Sequence, residues 1–534
     1  MKNNNKVFRV TLLLAAIAGV AFVFSRFENR EAYSSDSVRE QLQRFNEVFG
    51  IIDRYYVVPP DREKVITGAI NGMLSELDPH SVYIPPKSLE RVNEQFEAEF
   101  EGIGIEFVVL NKVLTVVAPI VGGPSEAVGL LPGDQIVKIE GKSAYGITED
   151  DVQKKLRGKK GTKVQLEIRR PGESENFEVT ITRDKIPIYS IMASFLLDDG
   201  ETGYIYLGRF ARTTADEVET ALTKLEGLGM KQLIFDLRGN SGGYLDQAFK
   251  VADKFIPGGY KIVYTKGRTG NLNEEFISTP TSTHAMYPIV VLLDHGSASA
   301  SEIVSGAIQD LDRGLVLGQT SFGKGLVQNQ IPLMDRGALR LTVARYYTPS
   351  GRLIQRPYDD ENVVDYYADA YEDSVVVKRD STKQFSTLSG RIVYGGGGIT
   401  PDSILAPDRI TAFTNRLRMK RVFFEFGSNW VSNNRKKIKN YESFRDNFQI
   451  DEKMIKELKD IIEKHDVEFS QKAFDKDYDY ITLLMKAEIA RHMWDREHYY
   501  MVRLTGDSEV HHARELIIEA ERIMNLHAWT GQQN

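Results

Sequence analysis

The stretch Pro288–Asp310, "PIVVLLDHGSASASEIVSGAIQD", sets the fold class of the region around it. Its first apolar residues form the kind of uninterrupted run found in strands buried on both faces of a sheet. A small-residue turn follows, in which Ser297, Ser299 and Ser301 alternate with alanines, and an apolar helix-like run begins near Ala300. Strand, turn and helix in that order are the repeating unit of an α/β domain.

The same alternation extends in both directions. "TGYIYLGRF" reads as a strand, "TADEVETALTKLEGLG" as a helix, "KQLIFDL" as a buried strand and "GYLDQAFKVADKFI" as a helix. "LVLGQT" and "ALRLTVARYYTP" continue the alternation downstream. Residues 356–397, with acidic tyrosine-rich sequence and "YGGGG", read as an insertion or flexible arm within a core spanning 185–409. From 410 to 534 the chain is expected to be helical and strongly charged. Upstream, five or more short β-type runs and two helix candidates mark a separate domain at 87–184. Residues 31–86 show helical spacing, with Leu42, Phe45, Val48, Phe49 and Ile52 on one face. The predicted whole is therefore α+β and multidomain.

The first 30 residues set the expected location. Lys2, Lys6 and Arg9 precede "VTLLLAAIAGVAFVFS", an apolar stretch long enough for a tilted membrane span, and the positive flank would stay in the cytoplasm. A cleaved signal peptide is the alternative, but bulky phenylalanines stand where small residues would be needed. Either way the remaining chain is expected on the exported side, as in a periplasm. The 534 residues include 75 acidic and 68 basic ones, a net charge of −7, which argues against nucleic acid as a partner. The absence of cysteine excludes disulfides, thiolate metal sites and cysteine nucleophiles. His511, His512 and Glu515 read as a surface charge cluster, so neither metal nor cofactor is expected.

A serine between a buried strand and a helix N-terminus would meet free N–H groups that favour negative charge. Serine is also a preferred N-cap, so this segment alone leaves both readings open. A hydroxyl further needs a base to accept its proton. Lys324, between glycines in "SFGKGLVQ", supplies one if desolvation lowers its pKa by about three units, worth roughly 4 kcal/mol. His295, four residues before Ser299, is the other candidate base. The turn in "DLRGNSGGYLD" places Gly242 and Gly243 after a strand, where an N–H of that turn could join that of Ala300 to form an oxyanion hole.

Six segments occur in an order that resembles the C-terminal processing peptidases, tail-specific serine proteases carrying a PDZ domain. They are "LDPHSVYIPP", "FEGIGIEF", "DLRGNSGG", "SASASEIVSGAIQD", "SFGKGLVQ" and "YTPSGRLIQ". The resemblance covers roughly residues 38–405. It implies that Ser299 is the nucleophile, Lys324 the general base and Gln328 the residue that orients the lysine, with Asp310 at an acidic family position. It likewise implies that 87–184 is a PDZ domain whose loop Gly102, Ile103, Gly104 and Ile105 binds a peptide C-terminus. Arg157 falls at the position of a basic residue linked to the catalytic domain, although a solvated arginine fits equally well. The expected enzyme is a membrane-anchored serine endopeptidase cutting polypeptides near their C-termini. A catalytically silent PDZ scaffold or chaperone is the alternative. A homodimer and an adaptor protein are the further partners to look for.

Overall fold

A computed structural model of the chain describes residues 35–280, 284–358, 363–369, 383–406, 409–526 and 529. The expected anchor at 1–30 lies outside them, and no described helix is long and apolar enough to cross a membrane. The chain divides into two compact units, one running to Leu77 and the other starting at Asp78.

The first unit holds the helices Ser35–Tyr55 and Arg62–Ser75. Asp61 caps the second by accepting the Lys64 N–H, and Arg62 pairs with Asp53 at 2.6 Å. The "PPD" before it keeps helix from forming at Val58, because proline disfavours helical geometry in the residue before it, and so separates the two helices. Val38, Leu42, Phe45 and Val48 recur at helix spacing on Ser35–Tyr55, and all are exposed.

In the second unit the domain expected at 87–184 is an antiparallel sheet. Its strands run, in neighbour order, Ile105–Leu110, Val113–Pro119, Gln135–Ile139, Lys163–Arg169 and Phe177–Thr182. The helix Glu149–Leu156, capped by Thr148, buries Val152 and Leu156 against Leu114, Val116, Ile136, Leu166 and Ile168. Strand Ile105–Leu110 has a neighbour on one side only, which leaves an open edge. The chain enters and leaves this domain through an antiparallel ribbon, Glu99–Gly102 with Asp184–Pro187.

The α/β region centres on a six-stranded sheet in the order Ile191–Leu196, Thr202–Leu207, Gln232–Asp236, Ile289–Leu293, Leu315–Gly318, Ser403–Ile404. All neighbours are parallel except the first pair. Every residue of Ile289–Leu293 is buried, as its unbroken apolar run requires. One face packs on the helices Thr214–Gly227, Leu245–Asp253 and Ala300–Asp310. The other is covered by Leu504, Val510, Ala513, Ile517, Ala520 and Ile523 from the C-terminal helices. Those helices are thus one layer of the core sandwich rather than an appendage. The segment "ALRLTVARYY" departs from expectation. It forms strand Ala338–Tyr347 of a second, antiparallel sheet, between Val82–Ile84 and Lys261–Gly267, and also pairs with Leu326–Pro332. Its alternating side chains suit a sheet with two unlike faces, so it does not extend the parallel one.

The remaining C-terminal helices build their own core around Phe413, Leu417, Phe426, Leu458, Ile481 and Met485. Phe424 projects from helix Val422–Asn434 onto Val108 and Val117 of the PDZ-like sheet. The ion pair Arg496–Glu106, at 3.3 Å, adds a polar contact to the same docking.

Candidate active site

The three serines of the opening stretch have different surroundings. Ser297 is buried and donates to the Leu237 carbonyl at 2.9 Å, and Ser301 is buried and donates to the Asn240 carbonyl at 2.8 Å. Only Ser299 is partly exposed. It stands immediately before helix Ala300–Asp310 with φ +54° and ψ −110°, a conformation that costs a non-glycine residue about 1–3 kcal/mol. Four hydrogen bonds hold it there. Its N–H donates to Glu302 Oε2 at 2.7 Å, while its carbonyl accepts the N–H of Glu302 at 2.9 Å, the N–H of Ile303 at 3.0 Å and the Tyr346 hydroxyl at 3.1 Å.

Glu302 ties this turn to the lysine. Its fully buried carboxylate also accepts the backbone N–H of Lys324 at 2.9 Å, the N–H of Gly323 at 2.7 Å and the Ser321 hydroxyl at 2.5 Å. Burial pushes its carboxyl pKa up, and the hydrogen bonds favour the ionised form. One side chain therefore sets the relative position of two loops. The reading of the sequence missed it. The available signal was Ser-x-x-Glu at a helix start, the spacing of a capping box.

Lys324 sends Nζ to Gln328 Oε1 at 2.9 Å, and Gln328 Nε2 donates to the His80 carbonyl at 2.7 Å. Burial, followed by the nearby positive charge of Arg340, lowers the Lys324 pKa to about 8. That is a smaller fall than the three units required for a base at neutrality, and it leaves roughly a tenth of the lysine neutral at pH 7. His295 takes no part in these hydrogen bonds.

The glycine turn lies against the serine. A Cβ on Gly242 (φ +98°) would come within 2.8 Å of the Ser299 Cβ and 2.9 Å of the Ala300 nitrogen. The two glycines are not equivalent, however. The N–H of Gly242 donates to Asn240 Oδ1 at 2.9 Å, so it is not available to a ligand. The N–H groups of Gly243 and Ala300 have no acceptor among the described residues. Gly243 is held by Phe210, whose N–H donates to the Gly242 carbonyl at 3.0 Å and whose carbonyl accepts the Tyr244 N–H at 2.9 Å. Asp310 is not brought to the site. It is buried at the far end of helix Ala300–Asp310, pairs with Arg352 at 2.7 Å and accepts the N–H and hydroxyl of Ser350. Its role is to anchor the "YTPSGR" turn.

In the PDZ-like domain the N–H groups of Ile103 and Gly104 likewise lack acceptors among the described residues, while their carbonyls accept from Ser125 and Ile120. This loop opens into a cavity of about 1090 Å³, lined by Ile105, Phe107, Gln153 and Leu156 and reaching Met192, Arg209 and Arg491. Arg157 ends helix Glu149–Leu156, pairs with Glu94 and lies 4.9 Å above the Phe100 ring. Glu94 belongs to helix Pro86–Glu97, and from that helix Phe96 meets the Tyr244 ring at 5.1 Å and Glu97 pairs with Arg212 at 2.5 Å. A continuous set of contacts thus runs from Arg157, beside the loop at 102–105, to the residue after Gly243.

Comparison with known proteins identifies peptidase family S41 over residues 201–363 and a PDZ domain over 102–181. Residues 21–88 match the N-terminal domain of the activating protease CtpB, and 413–495 match a family of unknown function. The carboxy-terminal-processing protease of Bartonella bacilliformis is 41% identical over 320 residues, covering 59% of this chain and 73% of that protein. The carboxy-terminal processing protease CtpB of Bacillus subtilis is 36% identical over 325 residues, covering 60% and 67%. Among solved structures, the photosystem II D1 C-terminal processing protease is 26% identical with a TM-score of 0.35, covering 71% of this chain and 95% of that one.

Proposed function

The chain belongs to the carboxy-terminal processing proteases, serine peptidases of family S41, and we propose that it cleaves exported polypeptides near their C-termini with a Ser299–Lys324 dyad. The observation that carries this reading is the shared carboxylate of Glu302. It fastens the backbone of the partly exposed Ser299 to that of a lysine whose pKa is lowered to about 8.

In this mechanism neutral Lys324 Nζ takes the proton as Ser299 Oγ attacks the scissile carbonyl carbon. Gln328 accepts one Nζ hydrogen, which leaves the nitrogen lone pair free for that proton. The carbonyl oxygen becomes an oxyanion facing the N–H groups of Ala300 and Gly243, which need no rearrangement as charge develops. When the C–N bond breaks, the Lys324 ammonium protonates the leaving amine. Water then hydrolyses the serine ester, again through Lys324. No group other than these is required for the proton balance.

Substrate choice follows from the PDZ domain. The N–H groups of Ile103 and Gly104 suit a terminal carboxylate, and the open edge of Ile105–Leu110 suits an added peptide strand. Arg157 and Glu94 offer the route by which an occupied groove would influence the turn at Gly243. The apolar N-terminal stretch supports attachment to a membrane with the catalytic domains on the exported side. The exposed apolar stripe of Ser35–Tyr55 supports a homodimer; an adaptor remains a partner to test by co-purification.

The test is digestion of fluorescein-labelled casein by the purified chain. Ser299→Ala and Lys324→Ala are each expected to lose nearly all turnover while His295→Ala keeps most of it, since serine and base act as one unit. Lys324→Arg should be inactive as well, because a guanidinium does not deprotonate at working pH. Substantial turnover by Lys324→Ala would refute the dyad.

A further inference from the structure

Part of the segment expected to be an insertion or flexible arm enters the site. Its helix Val363–Asp369 carries Tyr366, which is fully buried against Ala298 and Phe322, and Tyr367 beside it. Ala298 directly precedes Ser299, and Phe322 lies two residues before Lys324. Both tyrosines converge on one ring. Tyr366 Oη is 3.0 Å from His80 Nε2, and Tyr367 Oη is 3.1 Å from His80 Nδ1.

The donors can be assigned, since each hydroxyl has one proton to give. Gln355 Nε2 donates to Tyr366 Oη at 3.3 Å, and Tyr367 Oη lies 3.2 Å from the Pro79 carbonyl, which can only accept. Tyr367 therefore donates to Pro79 and accepts from His80 Nδ1–H, while Tyr366 donates to His80 Nε2. These contacts are all satisfied with a neutral, Nδ1-protonated imidazole, in keeping with the burial that lowers the His80 pKa to about 4. The same His80 gives its carbonyl to Gln328 Nε2, which turns Gln328 Oε1 toward Lys324. At the other end Gln355 Oε1 accepts the N–H of Gly325, next to the lysine, at 2.9 Å. The result is a ring of hydrogen bonds that leaves Lys324 through Gln328 and returns to its loop through His80, Tyr366 and Gln355.

We propose that Tyr366 and Tyr367 are positioning residues that hold the Lys324–Gln328 pair in its reactive arrangement by fixing His80. An amide side chain has one carbonyl and one NH2 end, and only the end held by His80 decides which faces the lysine. Without both tyrosines the Pro79–His80 backbone loses its clamp, Gln328 can turn, and Lys324 gains access to water. The inference rests on the Ser–Lys reading of the site.

The variants are Tyr366→Phe, Tyr367→Phe and the double change, made in the full chain, with Lys324→Ala as a control. Phenylalanine keeps the packing of Tyr366, and Tyr367 is 39% exposed, so each variant should fold. Casein turnover is measured from pH 6 to pH 10, with the melting temperature recorded alongside. The double variant is expected to lose about tenfold or more in kcat with KM within about twofold. The midpoint of the rise in kcat with pH should move upward, since a wetter lysine titrates closer to its ordinary value. The other charged groups around Lys324, namely Arg340, Glu302 and Asp78, are unchanged in these variants. An unchanged kcat would overturn the proposal, as would a loss of kcat with an unmoved midpoint, which would mark a structural role only. An active Lys324→Ala would instead remove the dyad itself, so the two failures can be told apart.

Discussion

Two pairs of backbone N–H groups in this chain lack acceptors among the described residues and face similar demands in different ways. Gly243 and Ala300 lie beside the partly exposed Ser299, whereas Ile103 and Gly104 open into the cavity of the PDZ domain. Around the first pair the walls are backbone: a Cβ on Gly243 (φ +152°) would lie 1.9 Å from the Phe210 carbonyl oxygen. Around the second they are side-chain ends: a Cβ on Gly104 (φ +75°) would lie 3.0 Å from Ile186 Cδ1. Backbone cannot yield without losing its partners, while a methyl group can rotate aside. The first arrangement suits charge that exists only in a transition state, and the second suits a ligand that is present before the chemistry starts.

Alanine at the two glycines tests this difference most severely. Gly243→Ala should lower turnover at least about 100-fold, as expected for a displaced oxyanion donor, and should also lower the melting temperature. Gly104→Ala should keep the kcat for short peptides and weaken only tail-dependent capture. If both substitutions lowered kcat alike, the two loops would be equally rigid and the distinction would fall.

A smaller effect isolates the groove. Converting the C-terminus of a peptide substrate to its amide removes the charge that the Ile103 and Gly104 N–H groups would meet. KM should rise about tenfold, in line with one charge-assisted hydrogen bond, with kcat nearly unchanged. Equal KM for acid and amide would remove the carboxylate from the recognition step.

The smallest effect concerns stability. With its pKa lowered to about 8, the folded chain binds fewer protons than the unfolded chain between about pH 8 and the ordinary lysine value near 10.4. The native state therefore carries a penalty for charged Lys324 below pH 8, and the penalty fades as pH rises through that window. Lys324→Met should stabilise the fold by about 1–2 kcal/mol at pH 7 after loss of the Gln328 hydrogen bond is allowed for, and less at pH 10. Urea denaturation at the two pH values would show a constant or reversed difference if the lysine were solvated.

The strand–turn–helix around Ser299 was legible because a fully buried parallel strand has an unmistakable apolar run. The proximity of Ser299, Lys324 and Gln328 was legible only through ordered motifs, since spacing alone does not bring residues 25 apart together. Glu302 escaped because its importance arises from a loop some 20 residues away folding onto its carboxylate. Composition misdirected the reading of 356–397: tyrosines flanked by acidic residues look solvent-facing, yet Tyr366 finds a pocket built by Ala298, Phe322 and His80. Ala338–Tyr347 was legible as a strand, but its place in a second sheet was not, because β-propensity carries no information about partners.

Phe424 has a mechanical consequence. A body tied to its neighbour by one ribbon, such as Glu99–Gly102 with Asp184–Pro187, has several axes about which to swing. The contact of Phe424 with Val108 and Val117 gives the PDZ domain a second tether, and together the two leave chiefly a roll about the line joining them. Leaving that axis would expose a phenylalanine that is now only 6% exposed, at a cost of about 1.5–3 kcal/mol. Undocked domains would then be outnumbered by between about ten and a hundred and sixty to one. On the proposed function, a tail arriving in the groove would act on a domain already close to one bearing, and its effect would be a small twist carried by Arg157 and Glu94 rather than a search through open orientations.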